Sequence, residues 1–405
     1  MNYLNLDKSL IEYKNSNEKI SNFHNIFKVL NYLNRFWISS IENQLWNTRQ
    51  NVDLALGNII PRLIEDYLFG QIKREILSLR DIAAYTVNEC PELLDDVLFM
   101  LNLTSDELCR KWIFNSFKTK NEVSNAKGLI VDILEANAFV ANEALKKGNF
   151  DLKISSYPHM EEIHSEKSII LTIIVNLNRI AFLFMDERII KSELADDEIE
   201  NLLMTIIEYN CNFGMNIAQK RSDSVIGIIS SLYSIVESST YLSKVIRFKI
   251  GLEVFNSIRK ITDEILTNDS KGISDSTEYL IRLHAWVMKN DFYLIKSFII
   301  EYLGDISLKL VNKKFLSDDL KNIIKILETM TLDNIKKGNK KNVTEPLKQL
   351  ELLAEEMANK NFVNEEMEAI FYPLSMISKY LLTESMHDIL NDLEEWFKKF
   401  NKFYS

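Results

Sequence analysis

The side chains best suited to chemistry here are the histidines and carboxylates, and the five histidines, His24, His159, His164, His284 and His387, can be weighed one by one. Two of them end a Glu-x-x-His pattern, Glu161 with His164 and Glu384 with His387. Residues at i and i+3 share a helix face. In ferritin-like bundles two such pairs, completed by single carboxylates from two other helices, hold a pair of iron or manganese ions. That chemistry would make the protein a di-metal carboxylate enzyme. The same spacing arises readily in a Glu-rich helical chain as a plain surface contact, so the di-metal reading ranks last and no metal site is assigned. His159 and His164 are five residues apart, which puts them about 140° apart on a helix, where they cannot chelate one ion. No Cys-x-x-Cys is present to supply half a structural zinc site.

Polar residues inside apolar segments are the other candidates. Asn176 and Arg179 sit in one such segment, and Arg282, His284 and Trp286 sit close together in another. Either group could line a polar pocket between helices, so these five are the candidate ligand-binding residues. The plainer account is that they satisfy neighbouring carbonyls and carboxylates or reach solvent. The ten glycines are never closer than 13 residues, the gap from Gly57 to Gly70. Phosphate-cradling loops need several glycines close together so that backbone N–H groups can approach an anion, which excludes the P-loop and the dinucleotide fingerprint. A Gly-x-Ser-x-Gly nucleophile elbow is excluded for the same reason. No catalytic residue and no cofactor is assigned.

The elements that must position these residues are helices. From Ile26 the apolar positions step through Leu30, Leu33, Trp37 and Ile41, with Asn31, Asn34 and Arg35 between them. Near the C-terminus Ile389, Leu393, Trp396, Phe400 and Phe403 repeat the pattern, and Glu394 and Glu395 precede Lys398 and Lys399 at i,i+4. Similar segments cover roughly 52–80, 92–117, 122–148, 159–190, 196–221, 223–267, 274–311, 317–337, 344–360 and 365–403, several of them divided in two. Thr104 with Glu107 reads as a capping box, Thr344 with Pro346 as a helix start, and Asn364 as the residue before an acidic first turn. Pro61 and Pro373 should kink or restart helices. The strand-like alternation Phe150, Leu152, Ile154 is too short for a sheet and reads as an extended connection.

Composition agrees. The 405 residues include only 10 glycines and 5 prolines, too few for the turns of a sheet-rich fold, and 46% of residues are hydrophobic, enough for one large core or two. The expected fold is all-α: a multi-helix array, either an irregular HEAT-like helical-repeat solenoid or a large helical bundle, with no substantial β-sheet. Gly148-Asn149 and the extended stretch after it suggest a division into residues 1–150 and 151–405, packed together.

The net charge of −10 disfavours nucleic acid as a partner. The lysines Lys336, Lys337, Lys340 and Lys341 read as a solvated loop between helices. Three widely spaced cysteines, Cys90, Cys109 and Cys211, suit a reducing compartment, and residues 1–19 lack the apolar core of a signal peptide, so a cytoplasmic location is expected. Ile169–Met185 is the most apolar stretch, but Asn176, Asn178 and Arg179 interrupt it, so it reads as a buried helix and not a membrane span. Together these features favour a non-enzymatic interaction or adaptor protein that presents a groove to a protein or peptide partner. The alternative is a regulatory sensor enclosing a small ligand between helices.

Overall fold

The structure, a computed structural model, describes residues 23–404 apart from 43–45, 67, 90–93, 115–116, 148–150, 153–166, 191–195, 221–224, 269–271 and 313–316. Among these residues the chain is all-α. Its sixteen α-helices are accompanied by one 3-10 turn, Ser239–Tyr241, and one two-residue antiparallel pairing of β1 (Asp151–Leu152) with β2 (Lys167–Ser168). The expected extended connection therefore includes a minimal strand at Leu152. No helix is long and apolar enough to cross a membrane among the residues described.

The chain divides into two compact units, residues 1–213 with 238–243, and residues 214–237 with 244–405. Residues 150 and 151, where sequence patterning suggested a division, both belong to the first unit. That unit contains α1 (Phe23–Glu42), α2 (Trp46–Glu65), α3 (Phe69–Glu89), α4 (Leu94–Ile113), α5 (Lys120–Lys147), α6 (Ile169–Phe184), α7 (Glu187–Ile190) and most of α8 (Asp196–Lys220). Helix α4 is its hub and packs on α2, α3, α5, α6 and α7. The stripe read in α1 is buried at Leu30, Leu33 and Trp37. Asn34, read as lying between the apolar positions, is buried as well, because Glu75 of α3 gives its amide a partner at 3.3 Å.

One start signal is corrected here, and so is the expected restart at two prolines. Thr104 lies inside α4, where its hydroxyl donates to the Met100 carbonyl at 3.0 Å, the bond open to a threonine within a helix. Pro61 and Pro373 neither stop nor restart their helices. Ile59, Ile60, Leu63 and Ile64 are buried around Pro61, and Ile370, Leu374 and Ile377 around Pro373. At about 1.5–3 kcal/mol for each buried aliphatic side chain, that burial exceeds the roughly 3 kcal/mol an internal proline costs.

The second unit continues with α9 (Ile226–Ser238), α10 (Lys244–Asn268), α11 (Ile273–Lys289), α12 (Tyr293–Val311), α13 (Asp318–Lys336), α14 (Lys340–Asn359), α15 (Asn364–Thr383) and α16 (His387–Tyr404). From α10 onward each helix packs on the next and on the next but one. This makes two rows, with α11, α13 and α15 in one and α10, α12, α14 and α16 in the other. Helix α12 meets neighbours on several sides and buries Ile295, Ile299, Ile300, Leu303, Ile306 and Leu310.

Four of the connecting turns share one backbone solution. Asp291, Gly338, Asn361 and Ser385 have positive φ, between 56° and 66°. In each case the next residue donates its N–H five positions back, Phe292 to Val287, Asn339 to Asn334, Phe362 to Met357 and Met386 to Leu381. This is the Schellman stop, in which a left-handed residue lets the chain satisfy its last carbonyls and reverse. Asp291, Gly338 and Ser385 follow one another at intervals of 47 residues. The stop at Gly338 starts α14 at Lys340, so Thr344 is not its cap and Pro346 lies inside the helix. Lys340 and Lys341 likewise belong to α14 and not to a loop.

Candidate functional site

Helix α11 carries three of the residues singled out from the sequence and places them in three different surroundings. Its N-cap is Gly272 at φ 84°, and the Ser276 hydroxyl donates to the Gly272 carbonyl at 3.0 Å. Arg282 is exposed, bonds Glu278 one turn away at 2.5 Å and lies 4.9 Å over the Tyr279 ring. Trp286 is buried, its ring 5.4 Å from that of Phe292. A Cβ on Gly251 would stand 2.7 Å from the Trp286 ring, so α10 and α11 approach this closely only because residue 251 has no side chain. His284 lines a cleft between α11 and α13.

That cleft has a volume of about 460 Å³. Ile281, Ala285 and Met288 of α11 face Ile326 and Met330 of α13, and His284, Asp333, Asn334 and Lys337 also line it. Helix α13 is held in register by the Ser317 hydroxyl, which accepts from Leu320 N–H at 3.2 Å, with Asp318 and Asp319 in its first turn. On its other side lies a second cleft of about 490 Å³, shared with α15 and lined by Lys321, Glu328, Glu365, Glu368 and Tyr372. Lys325 lines both clefts. Its ammonium is bound to the buried Glu328 carboxylate at 2.8 Å, and Lys321 pairs with Asp318 at 3.2 Å.

Behind the first cleft is a polar cluster contributed by α11, α12 and α14. Lys296 is only 1% exposed, with Nζ 3.6 Å from Glu345 Oε2. Ser297 donates its hydroxyl to Glu345 Oε1 at 2.6 Å. Burial lowers the lysine's pKa, and the Glu345 charge opposes that shift. His284 Nε2 is buried with no hydrogen-bond partner. Burial, reinforced by the Lys296 and Lys337 charges, brings its pKa down to about 4, so the imidazole is neutral at pH 7.

The Thr329 hydroxyl is committed to the Lys325 carbonyl at 2.8 Å and does not serve His284. Lys296 is sealed from solvent. Among the described residues no three metal-ligating side chains gather. Glu161 and His164 lie outside the described residues, and Glu384 belongs to the turn before α16, where its N–H donates to the Tyr380 carbonyl. Cys109 and Cys211 are both buried, and burial pushes the Cys109 thiol up.

No family model and no curated protein matches the sequence. Among solved structures, one described as a circular tandem repeat protein with novel repeat topology and enhanced subunit contact surfaces matches at a TM-score of 0.46 and 12% identity. The match covers 93% of this chain and 95% of that one.

The remaining two candidates from the sequence belong to the first unit. Asn176 is half-buried on α6, and Arg179 is exposed and bonded to Asp106 of α4 at 2.5 Å. The buried polar contact of that segment is made by their neighbour Asn178, whose Oδ1 accepts from Asn210 Nδ2 at 2.9 Å. Sequence reasoning also missed Glu75 and Lys296. Both had a signal: Glu75 falls on the stripe Ile72, Ile76, Leu79, and Lys296 follows Ile295 within an apolar helix.

Proposed function

We propose that this protein is a non-enzymatic scaffold that takes up a segment of a partner protein along the row α11, α13 and α15. One observation carries the reading: two clefts lie side by side on that row, one on each flank of α13, with Lys325 on the ridge between them. Helices in such a row stand about 8–10 Å apart, so a segment lying across them meets both clefts. Stacked helical hairpins present their binding surfaces in this way, and apolar pockets with charged rims give such segments affinity and register.

A photo-crosslinking residue placed at Ala285, at Ala369 or at Leu352 tests this. Ala285 and Ala369 line the two clefts, and Leu352 is an exposed residue of α14 in the other row. The same partner should be captured from positions 285 and 369 and not from 352. Equal capture from 352, or none from the clefts, overturns the proposal.

A regulatory sensor of a small ligand is the second reading, favoured by the presence of His284, Asn334 and Lys337 around a space within the roughly 300–1,000 Å³ that small-molecule sites occupy. A metabolite that raises the melting temperature of the parent chain and of Ala369→Trp, but not of Ala285→Trp, would support the sensor in place of the scaffold.

A further inference from the structure

The two clefts differ in chemistry, and the difference specifies what a bound segment must carry. In the first, the walls are aliphatic and thioether groups, and Lys325, Asp333 and Lys337 also line the cleft. An apolar side chain seated between those walls gains by leaving water. In the second, both lysines are already committed, Lys325 to Glu328 and Lys321 to Asp318. Glu365 and Glu368, three residues apart on one face of α15, are exposed and have no cation paired with them among the described residues. Tyr372, one turn further on, is 66% exposed. Two uncompensated carboxylates beside an open aromatic face suit a cation, and Arg or Lys can use both features at once. The chain's net charge of −10 adds a long-range pull on a basic segment.

Resting on the scaffold reading, we infer that the bound segment carries an apolar side chain that fills the α11–α13 cleft and, one helix spacing along, a Lys or Arg held by Glu365, Glu368 and Tyr372. A spacing of about 8–10 Å corresponds to two to four residues of an extended segment, whose side chains return to the same face every second residue.

The test uses the full chain as bait for a phage-displayed library of random 12-residue peptides, with Ala285→Trp as the counter-selection. Ala285 is exposed, so the larger side chain fills the cleft without entering the core. The inference expects enriched peptides with an apolar residue two to four positions from Lys or Arg. Their affinity should fall about tenfold or more on a chain carrying Glu365→Lys and Glu368→Lys, and return to within about threefold when the peptide's basic residue is replaced by Glu. Circular dichroism of each variant confirms that the helices are retained. Peptides that depend on Ala285 but show no basic preference, or ignore the Glu365 and Glu368 reversal, overturn this inference and leave the scaffold standing. If no enriched peptide depends on Ala285 or on Ala369→Trp, both are overturned.

Discussion

Glu75 in the first unit and His284 in the second are both titratable side chains withdrawn from water, and burial drives them in opposite directions. Glu75 on α3 is nearly sealed, and loss of hydration raises its carboxyl to about 7, against a small opposing effect of the Asn34 hydrogen bond. His284 on α11 is lowered to about 4 by burial and two nearby lysines. The cause is shared, because low polarity disfavours whichever form is charged. His284 is thereby neutral at pH 7, and Glu75 is about half protonated there. Lys296, buried next to the second site, differs because Glu345 stands 3.6 Å away and supports its charge. Burial lowers the lysine's pKa as it lowers the histidine's, and the Glu345 carboxylate opposes that shift, a support that Glu75 and His284 lack.

The largest expected effect comes from removing the carboxyl of the first site. Folded Glu75 holds its proton up to about pH 7, whereas an unfolded glutamate releases it near pH 4.5. Its contribution to stability is therefore full below 4.5 and lost as pH rises to 7, a cost of roughly 3 kcal/mol above that. Glu75→Gln should remove that dependence, and its amide can donate to Asn34 Oδ1, which has no partner in the parent. Urea denaturation at pH 5 and pH 8 should show the variant more stable than the parent at pH 8 and similar at pH 5. An equal gain at both would mean that Glu75 does not titrate.

Next in size is the Lys296–Glu345 pair. Glu345→Ala should cost about 2 kcal/mol at pH 7, since it leaves the Lys296 ammonium buried with no carboxylate, and Lys296→Met should cost much less. If both variants lose the same stability, packing and not pairing accounts for the site.

The smallest effect, and the one of opposite sign, belongs to His284. An unfolded histidine takes up its proton near 6.5 and the folded one only near 4, so its contribution is full above 6.5 and lost as pH falls toward 4. His284→Gln should reduce the loss of stability between pH 7.5 and pH 5 by about 1 kcal/mol, a figure scaled down for its partial exposure. Glu351 on α14, raised to about 7 by burial together with Glu355 and Asp392, titrates with the sign of Glu75. Comparing each variant with the parent at the same pH cancels its contribution.

Much of the helical layout was legible in the chain. The C-terminal pattern returns as α16, with Leu393 and Phe400 buried and Trp396 half-exposed, its Nε1 donating to Glu355 at 2.7 Å. A repeat signal was present as well: Asn312-Lys313-Lys314-Phe315-Leu316-Ser317-Asp318-Asp319-Leu320 is matched 47 residues later by Asn359-Lys360-Asn361-Phe362-Val363-Asn364-Glu365-Glu366-Met367. It escapes a search for fixed signatures because what recurs is a polar stretch followed by an acidic first turn of a helix, in changing letters. Asp291, Gly338 and Ser385 show no common letter, yet share one backbone geometry.

The apolar periodicity and the scarcity of glycine and proline determined by themselves that this chain would fold as helices, because those features act within a turn or two of the chain. Which face each helix turns to which neighbour was decided only in three dimensions. Arg282 and Trp286, four residues apart, lie only about 40° apart around the helix, with His284 about 160° from each, yet one meets solvent, one the core and one a cleft. The clefts belong to pairs of helices some 45 residues apart, and the pairing of Lys296 with Glu345 depends on how α12 meets α14. Local pattern carries no information about such contacts, since they arise from the packing of whole helices and not from the spacing of residues within one.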